Sequence, residues 1–283
     1  MKANGLWQRS LRKLYRDKVG MTALMIVLMF AVIALMAGFG LIGSRWSELL
    51  SDGRSGPSAE FWFGTNTNGQ DIFSRVIYST KTAFEIGLMV SICACSLGAI
   101  LGGIAGYRSG SFVDELILWI CGCLDCIPFF LFVAAMAFAL QENPYAMHIA
   151  MISTFWMSTC RYVRGEFIRL KEMEFTDAAR AIGVPDYKII LRHLLPNTSH
   201  IILVQVSLTF VLAIKTEVIL SFLGLGVKQG ISWGIMIAES AQEIAVGEFG
   251  NFFSASGFMF LLVISFNLFA DALQDALDPK KVG

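Results

Sequence analysis

Cys123-Leu-Asp-Cys126 has the C-x-x-C spacing of a dithiol shuttle. Such a pair needs an aqueous face and a thiol pKa lowered by a neighbouring positive charge or helix N-terminus. Here it lies near the middle of a long apolar run, and Cys93, Cys95, Cys121 and Cys160 also lie in apolar runs. All six read as small buried apolar side chains, with no disulfide framework. His148, His193 and His200 are the only histidines, and none pairs with another. The chain has no G-x-x-x-x-G-K-[ST], no H-E-x-x-H and no G-x-S-x-G. P-loop, zinc-protease and serine-hydrolase signatures are therefore missing. The residues predict no catalytic set, no metal site and no cofactor in this chain.

What remains are charges in apolar surroundings. Asp125 lies three residues before Pro128, and Lys215 and Glu217 interrupt another apolar run. A charge at the centre of a membrane helix costs roughly 2.5–3.5 kcal/mol on insertion scales, so each must serve some purpose. Lys215 and Glu217 are two residues apart and do not face each other on one helix. Each therefore needs another partner. Two readings compete: pairing inside the subunit, or lining a translocation path and meeting a substrate terminus. Glu85 lies nearer a span end and is expected to snorkel.

These charges imply elements to carry them. The chain is 55% hydrophobic and 16% charged, against about 45–50% and about 25% for soluble domains. A hydrocarbon core about 30 Å thick takes about 20 apolar residues of helix. Six stretches approach that length, at about 19–42, 83–105, 112–140, 145–163, 201–225 and 252–273. The expectation is an all-α membrane protein with six transmembrane helices. It is organised as a basic cytoplasmic arm (1–18), a first transmembrane helix (19–42), an extracytoplasmic loop (43–82), a five-helix core (83–273) and a cytoplasmic tail (274–283). The first apolar run is too long for a signal-peptide core and ends without a small-x-small cleavage site.

Lysine and arginine set the orientation. Sixteen lie in the arm, after the second span, between the fourth and fifth spans, and in the tail, against five on the other side. That bias places both termini in the cytoplasm. The formal net charge of zero argues against a nucleic-acid partner.

The excursion from Arg161 to Asn197 is then cytoplasmic. Thr176 is a candidate N-cap, Asp177 an acid in the first turn, and Gly183 a C′ residue. Pro185 opens a second short helix that ends by Pro196. Helices this short are unstable alone, since isolated helices need roughly 12–15 residues. The small flank of Ala178, Ala179 and Ala181 suits docking into another protein's groove. In the second span, Gly98, Gly102 and Gly106 form a small-residue ridge for close packing in lipid or for sliding past a moving helix.

Asp177-Ala-Ala-Arg-Ala-Ile-Gly183, then nine residues, then His193-Leu-Leu-Pro196 resembles the EAA loop of bacterial ABC-type importer permeases. The stretch 63–87 (FGTNTNGQDIFSRVIYSTKTAFEIG), SFLGLG at 221–226, SWG at 232–234 and FNLFADALQDALDP at 266–279 resemble the DppC/OppC type of that family. The resemblance implies a type I ABC importer permease fold of six spans, with the loop at 174–197 as coupling helix. It implies a heterodimer with a homologous second permease, two ATP-binding subunits that hold ATP and Mg, and an extracytoplasmic substrate-binding protein. The setting would be the lipid of a bacterial inner membrane. Asp177, Ala178, Ala179 and Gly183 would then dock the ATPase, and Pro196 would set the return into span five. The implied cargo is a short peptide, with nickel or another small solute as the alternative. An ion-coupled secondary transporter is the competing class, although such chains often hold inverted repeats, and six spans without a visible repeat suggest half a pore. Asp177 stands where the family has Glu, and GEFG at 247–250 lacks the Pro-Gly that often opens the last span.

Overall fold

Each long helix begins where the sequence supplies a cap or a tight turn. A computed structural model describes residues 12–277. Lys2 and Arg9 of the basic arm, and Pro279, Lys280 and Lys281 of the tail, lie outside the described residues. The helices are α1 (Lys18–Gly38), α2 (Ile72–Tyr107), α3 (Phe112–Asp125), α4 (Phe129–Ala139) and α5 (Ala146–Lys171). They continue as α6 (Glu174–Ala181), α7 (Asp186–Ile189), a π-turn (Ile190–Leu194), α8 (Leu195–Phe222), α9 (Trp233–Ala245) and α10 (Gly250–Leu277). Asp17 Oδ1 accepts from the Val19 and Gly20 amides at 3.0 and 3.1 Å, and Asp71 caps α2 through Phe73 and Ser74. Each cap satisfies donors that the first helical turn cannot.

The α2 helix is the longest element at 36 residues, about 54 Å at the α-helical rise. It starts at Ile72, so the last eleven residues of the stretch read as a loop (43–82) are helical. Its outer turns are held by α9, which the sequence reading missed. Trp233 Nε1 donates to the Val76 carbonyl (3.1 Å), Thr82 Oγ1 donates to the Ile231 carbonyl (2.7 Å), and Arg75 pairs with Glu239. Phe30, Phe210, Ile214, Trp233, Met236 and Leu262 meet here in one buried cluster. At the opposite end of the bundle, Lys13 Nζ donates to the Asp275 carbonyl (2.7 Å), so both described ends of the chain lie together.

Gly98, Gly102 and Gly106 bring α2 against the backbone of α5. A Cβ on Gly98 would meet the Trp156 carbonyl oxygen, one on Gly102 the Cys160 carbonyl oxygen, and one on Gly106 the Arg164 carbonyl oxygen at 2.7 Å. The ridge is a fixed contact within this chain. Where lipid surrounds the helices, such backbone-to-backbone packing replaces hydrophobic burial as the source of association.

Four helical runs are long and apolar enough to cross a membrane: α1, α2, the continuous stretch Asp186–Phe222, and α10. The expected third span (112–140) is instead two helices whose axes meet at 90°. Pro128 causes the break: it has no N–H to donate, and its φ and ψ of −52° and 118° leave the helical region. Counted together, α3 and α4 make a fifth span. The expected fourth span falls in α5, which has 26 residues but carries Arg161, Arg164, Glu166, Arg169 and Lys171 in its second half and is not among the helices apolar enough to cross.

Those charges were expected to mark a cytoplasmic excursion beginning at Arg161. The helix runs on to Lys171, and α3 supplies counter-charges to its second half: Arg161 pairs with Asp125, and Arg164 with Asp114 at 2.6 and 2.9 Å.

If the ridge is a backbone contact, Gly102→Ala should lower the thermal midpoint of the detergent-extracted protein by several degrees. Overpacking of this kind costs about 1–3 kcal/mol. Gly257→Ala, on α10 where nothing lies within 4 Å of the added carbon, should leave it unchanged. Equal midpoints for the two variants would rule out the ridge as a packing seam.

Candidate functional site

The segment between α5 and α8 is built from two short helices that share an inner face. Met173 is extended (φ −84°, ψ 145°) and starts α6 at Glu174. Thr176, expected as the N-cap, lies inside the first turn instead. Its buried hydroxyl donates to the Leu170 carbonyl (2.8 Å), which ties α6 to the last turn of α5. The C-terminus follows expectation. Gly183 has φ +80°, its amide donates to the Arg180 carbonyl (2.9 Å), and the Val184 amide donates to the Ala179 carbonyl (3.0 Å). These two bonds are the Schellman pattern, which needs a left-handed residue at this position.

Ala179 is buried with Val163, Phe167, Leu170, Ile189 and Leu194. It therefore seats α6 on its own bundle and does not face outward. Asp177, Ala178 and Gly183 are exposed, and Asp177 makes a surface pair with Arg180 at 3.5 Å. The outer surface is more apolar than the alanines alone suggest. Ile182 is 81% exposed, and Phe175, Tyr187 and Leu191 are exposed beside it. Their spacing, interrupted by Gly183 and Pro185, hides them from a search for one periodic helix.

Pro196 does not end the second short helix. Helical backbone runs from Asp186 to Phe222, and Pro196 lies in the first turn of α8. The π-turn just before it explains this: the Leu195 amide bonds the Ile190 carbonyl, five residues back. A widened turn makes room for the proline ring, which in a regular helix clashes with the carbonyl four residues back. Any movement of α7 is thus carried into α8 along continuous helix.

A second tie runs from this segment to α2. The Tyr107 hydroxyl at the end of α2 donates to Asp186 Oδ1 at the start of α7. Lys171 and Arg180 stand over the same ring, 5.7 and 5.9 Å from its centroid, within the range of cation–π attraction. Tyr107 lay at the edge of an apolar run, with nothing nearby in sequence to pair it with Asp186.

The structure separates the three intramembrane charges. Asp125 pairs with Arg161 at the α3–α4 break. Glu217 is buried and accepts from the Ser221 hydroxyl one turn on, beside Ser232. Lys215 is exposed on α8, away from both. They form no single cluster. Asp125, Arg161, Thr154, Gln205 and Thr209 line a cavity of about 450 Å³ between the break, α5 and α8. Of the cysteines, Cys95, Cys121 and Cys160 are buried as expected, whereas Cys93, Cys123 and Cys126 are exposed. Helix α3 packs on α5 through Ile117 and Cys121, which turns the C-x-x-C pair outward. Among the described residues no cysteine is bonded to another, and no His, Cys, Asp and Glu group has metal-holding geometry.

Residues 98–283 match the profile of the family described as binding-protein-dependent transport system inner membrane component. The match takes in the glycine ridge, the segment between α5 and α8, and the final helix. The chain is 34% identical to the dipeptide transport system permease protein DppC of Bacillus subtilis (strain 168), over 96% of this chain and 85% of that protein. It is 36% identical to DppC of Alkalihalophilus pseudofirmus, over 97% and 90%. It is also 34% identical to the glutathione transport system permease protein GsiD of Escherichia coli O6:K15:H31, over 98% and 91%. A bundle of long apolar helices, a short helical segment displayed at one end, and likeness along nearly the whole chain lead to one assignment: this protein belongs to the binding-protein-dependent transport system inner membrane components.

Proposed function

We propose that the chain is the transmembrane permease subunit of an ATP-driven importer for short peptides. In this reading it pairs with a homologous second permease, and the end carrying α6 and α7 lies in the cytoplasm. Two ATP-binding subunits grip that end and hold the ATP and Mg. An extracytoplasmic binding protein delivers the peptide to the opposite end, formed by residues 39–71 and α9. Peptide cargo is supported by the relatives, which are named for dipeptide and glutathione transport.

The observation that carries the reading is the apolar outer face of α6 and α7. Ile182, Phe175, Tyr187 and Leu191 project from a segment whose inner face is already used on its own bundle. Burying one such side chain is worth about 1.5–3 kcal/mol, so a groove that covers the patch would hold it firmly. Two connections then carry force inward: the continuous helix into α8, and Tyr107 into α2. Because α2 is packed backbone-to-backbone on α5, the pull reaches a rigid pair.

Gentle extraction of the tagged chain from its own host should co-purify two ATPase subunits and a related permease. Ile182→Asp should release the ATPases and keep the second permease. A homogeneous homo-oligomer with ion-coupled uptake would refute the proposal. Tyr107→Phe keeps the ring beneath Lys171 and Arg180 but removes the donor to Asp186. It is expected to lower the number of peptides moved per ATP hydrolysed by a few-fold, with ATPase subunits still bound. An unaltered ratio would exclude Tyr107 as a transmission element.

A further inference from the structure

Of the three charges at Asp125, Lys215 and Glu217, Lys215 is the one without a partner among the described residues. On α8, Leu208, Leu212, Lys215, Ile219 and Phe222 recur at alternating intervals of four and three and are all exposed. That spacing makes one stripe along the helix. The stripe is apolar except for Lys215, and no hydrogen bond or ion pair to the ammonium is formed among the described residues. Hydrocarbon is a poor neighbour for it, since an unpaired charge costs up to roughly 2.5–3.5 kcal/mol at a helix centre.

The stripe borders a largely apolar cavity that holds a few polar groups. Leu208 and Leu212 line the 450 Å³ space at the α3–α4 break, together with Gln205 and Thr209 on the flank of the same helix. Lys215 lies one turn beyond Leu212. The volume falls within the roughly 300–1,000 Å³ typical of small-molecule sites. Asp125 and Arg161 neutralise each other there while each side chain stays 45% exposed, so this face of the chain is turned to something other than lipid. Hydroxyl and amide groups of Thr154, Thr209 and Gln205 suit the main-chain amides of a peptide. The balanced pair leaves Lys215 as the uncompensated charge at the edge of the space.

We propose that Lys215 is a binding residue for the C-terminal carboxylate of a peptide in transit, with the cavity at the α3–α4 break holding the adjoining main chain. This rests on the peptide-importer reading and adds to it the chemical group recognised inside the membrane. A carboxylate is the complement that an exposed ammonium in a low-dielectric setting favours most, through a charge-assisted hydrogen bond. The flexible lysine stem lets such a contact form and release as the path changes shape.

The test compares trialanine with its C-terminal amide in the complete complex, reconstituted with its binding protein, for Lys215 and for Lys215→Gln. The binding protein is the same in both complexes, so its own preference cancels in the variant-to-parent ratio for each peptide. The expected result is a loss of about tenfold in uptake efficiency for the free acid, the scale of one charged hydrogen bond. The amide should change by less than about twofold. Lys215→Arg should restore free-acid uptake, and Lys215→Glu should fall below the Gln variant. Equal loss for both peptides, no loss for either, or a Glu variant no worse than Gln would overturn the assignment. Loss of the second permease on purification of Lys215→Gln would also overturn it, by assigning the ammonium to a subunit contact. A parent complex that takes up neither peptide would instead sink the peptide-importer reading on which the assignment depends.

Discussion

Hydrocarbon gives a charged side chain two choices: be neutralised within the protein, or face a surface that is not lipid. That constraint organises this bundle. Asp114 and Arg164 meet with two hydrogen bonds, Asp125 meets Arg161, and Glu217 rests against serine hydroxyls. The first two pairs join α3 to α5 and fix how the broken span lies on its neighbour. They also neutralise two of the five charges in the second half of α5. In water such pairs contribute little.

The second constraint is the backbone contact between α2 and α5. Three glycines at four-residue spacing leave no room for side chains, so the two helices share one contact line along most of the length of α5. A sliding surface would need tolerance for changing neighbours, and carbonyl oxygens pressed onto glycine backbone provide none. Movement is therefore expected to pass through this pair as a unit. The places free to bend are those where the helical ladder is already interrupted: the Cys126–Pro128 break and the π-turn at Ile190–Leu194.

Local rules made much of this visible in advance. Gly183 stood out because a helix stop with a left-handed residue needs only its immediate neighbours, and the structure shows the full Schellman pattern there. The glycine ridge followed from spacing alone. The errors share a different cause, distance along the chain. The Asp125–Arg161 pair was not foreseen because its members lie 36 residues apart, and no local rule connects them. Thr176 has the chemistry of an N-cap, but its hydroxyl is taken by the Leu170 carbonyl, so Met173 begins the helix uncapped. Pro196 resembled a terminator because the widened turn that absorbs it has no signature of its own. Helix α9 went unread since its amphipathic pattern falls between two spans and its partners, Val76 and Arg75, belong to the far end of α2.

The displayed segment shows how one short stretch can serve two masters. Thr176, Ala179, Ile189 and Leu194 turn inward and make α6 and α7 part of their own bundle. Phe175, Ile182, Tyr187 and Leu191 turn outward and remain uncovered. In the proposed coupling role, neither set alone would transmit motion. Without the inner set, a partner pulling on Ile182 would unravel two helices too short to persist by themselves. Without the outer set there would be nothing to grip. The joint between α6 and α7 is the Gly183–Pro185 corner, set by the left-handed Gly183 and the proline. A stiff corner with one face anchored and the other exposed is the geometry a lever requires, and helical backbone continuing from α7 into α8 gives that lever its arm.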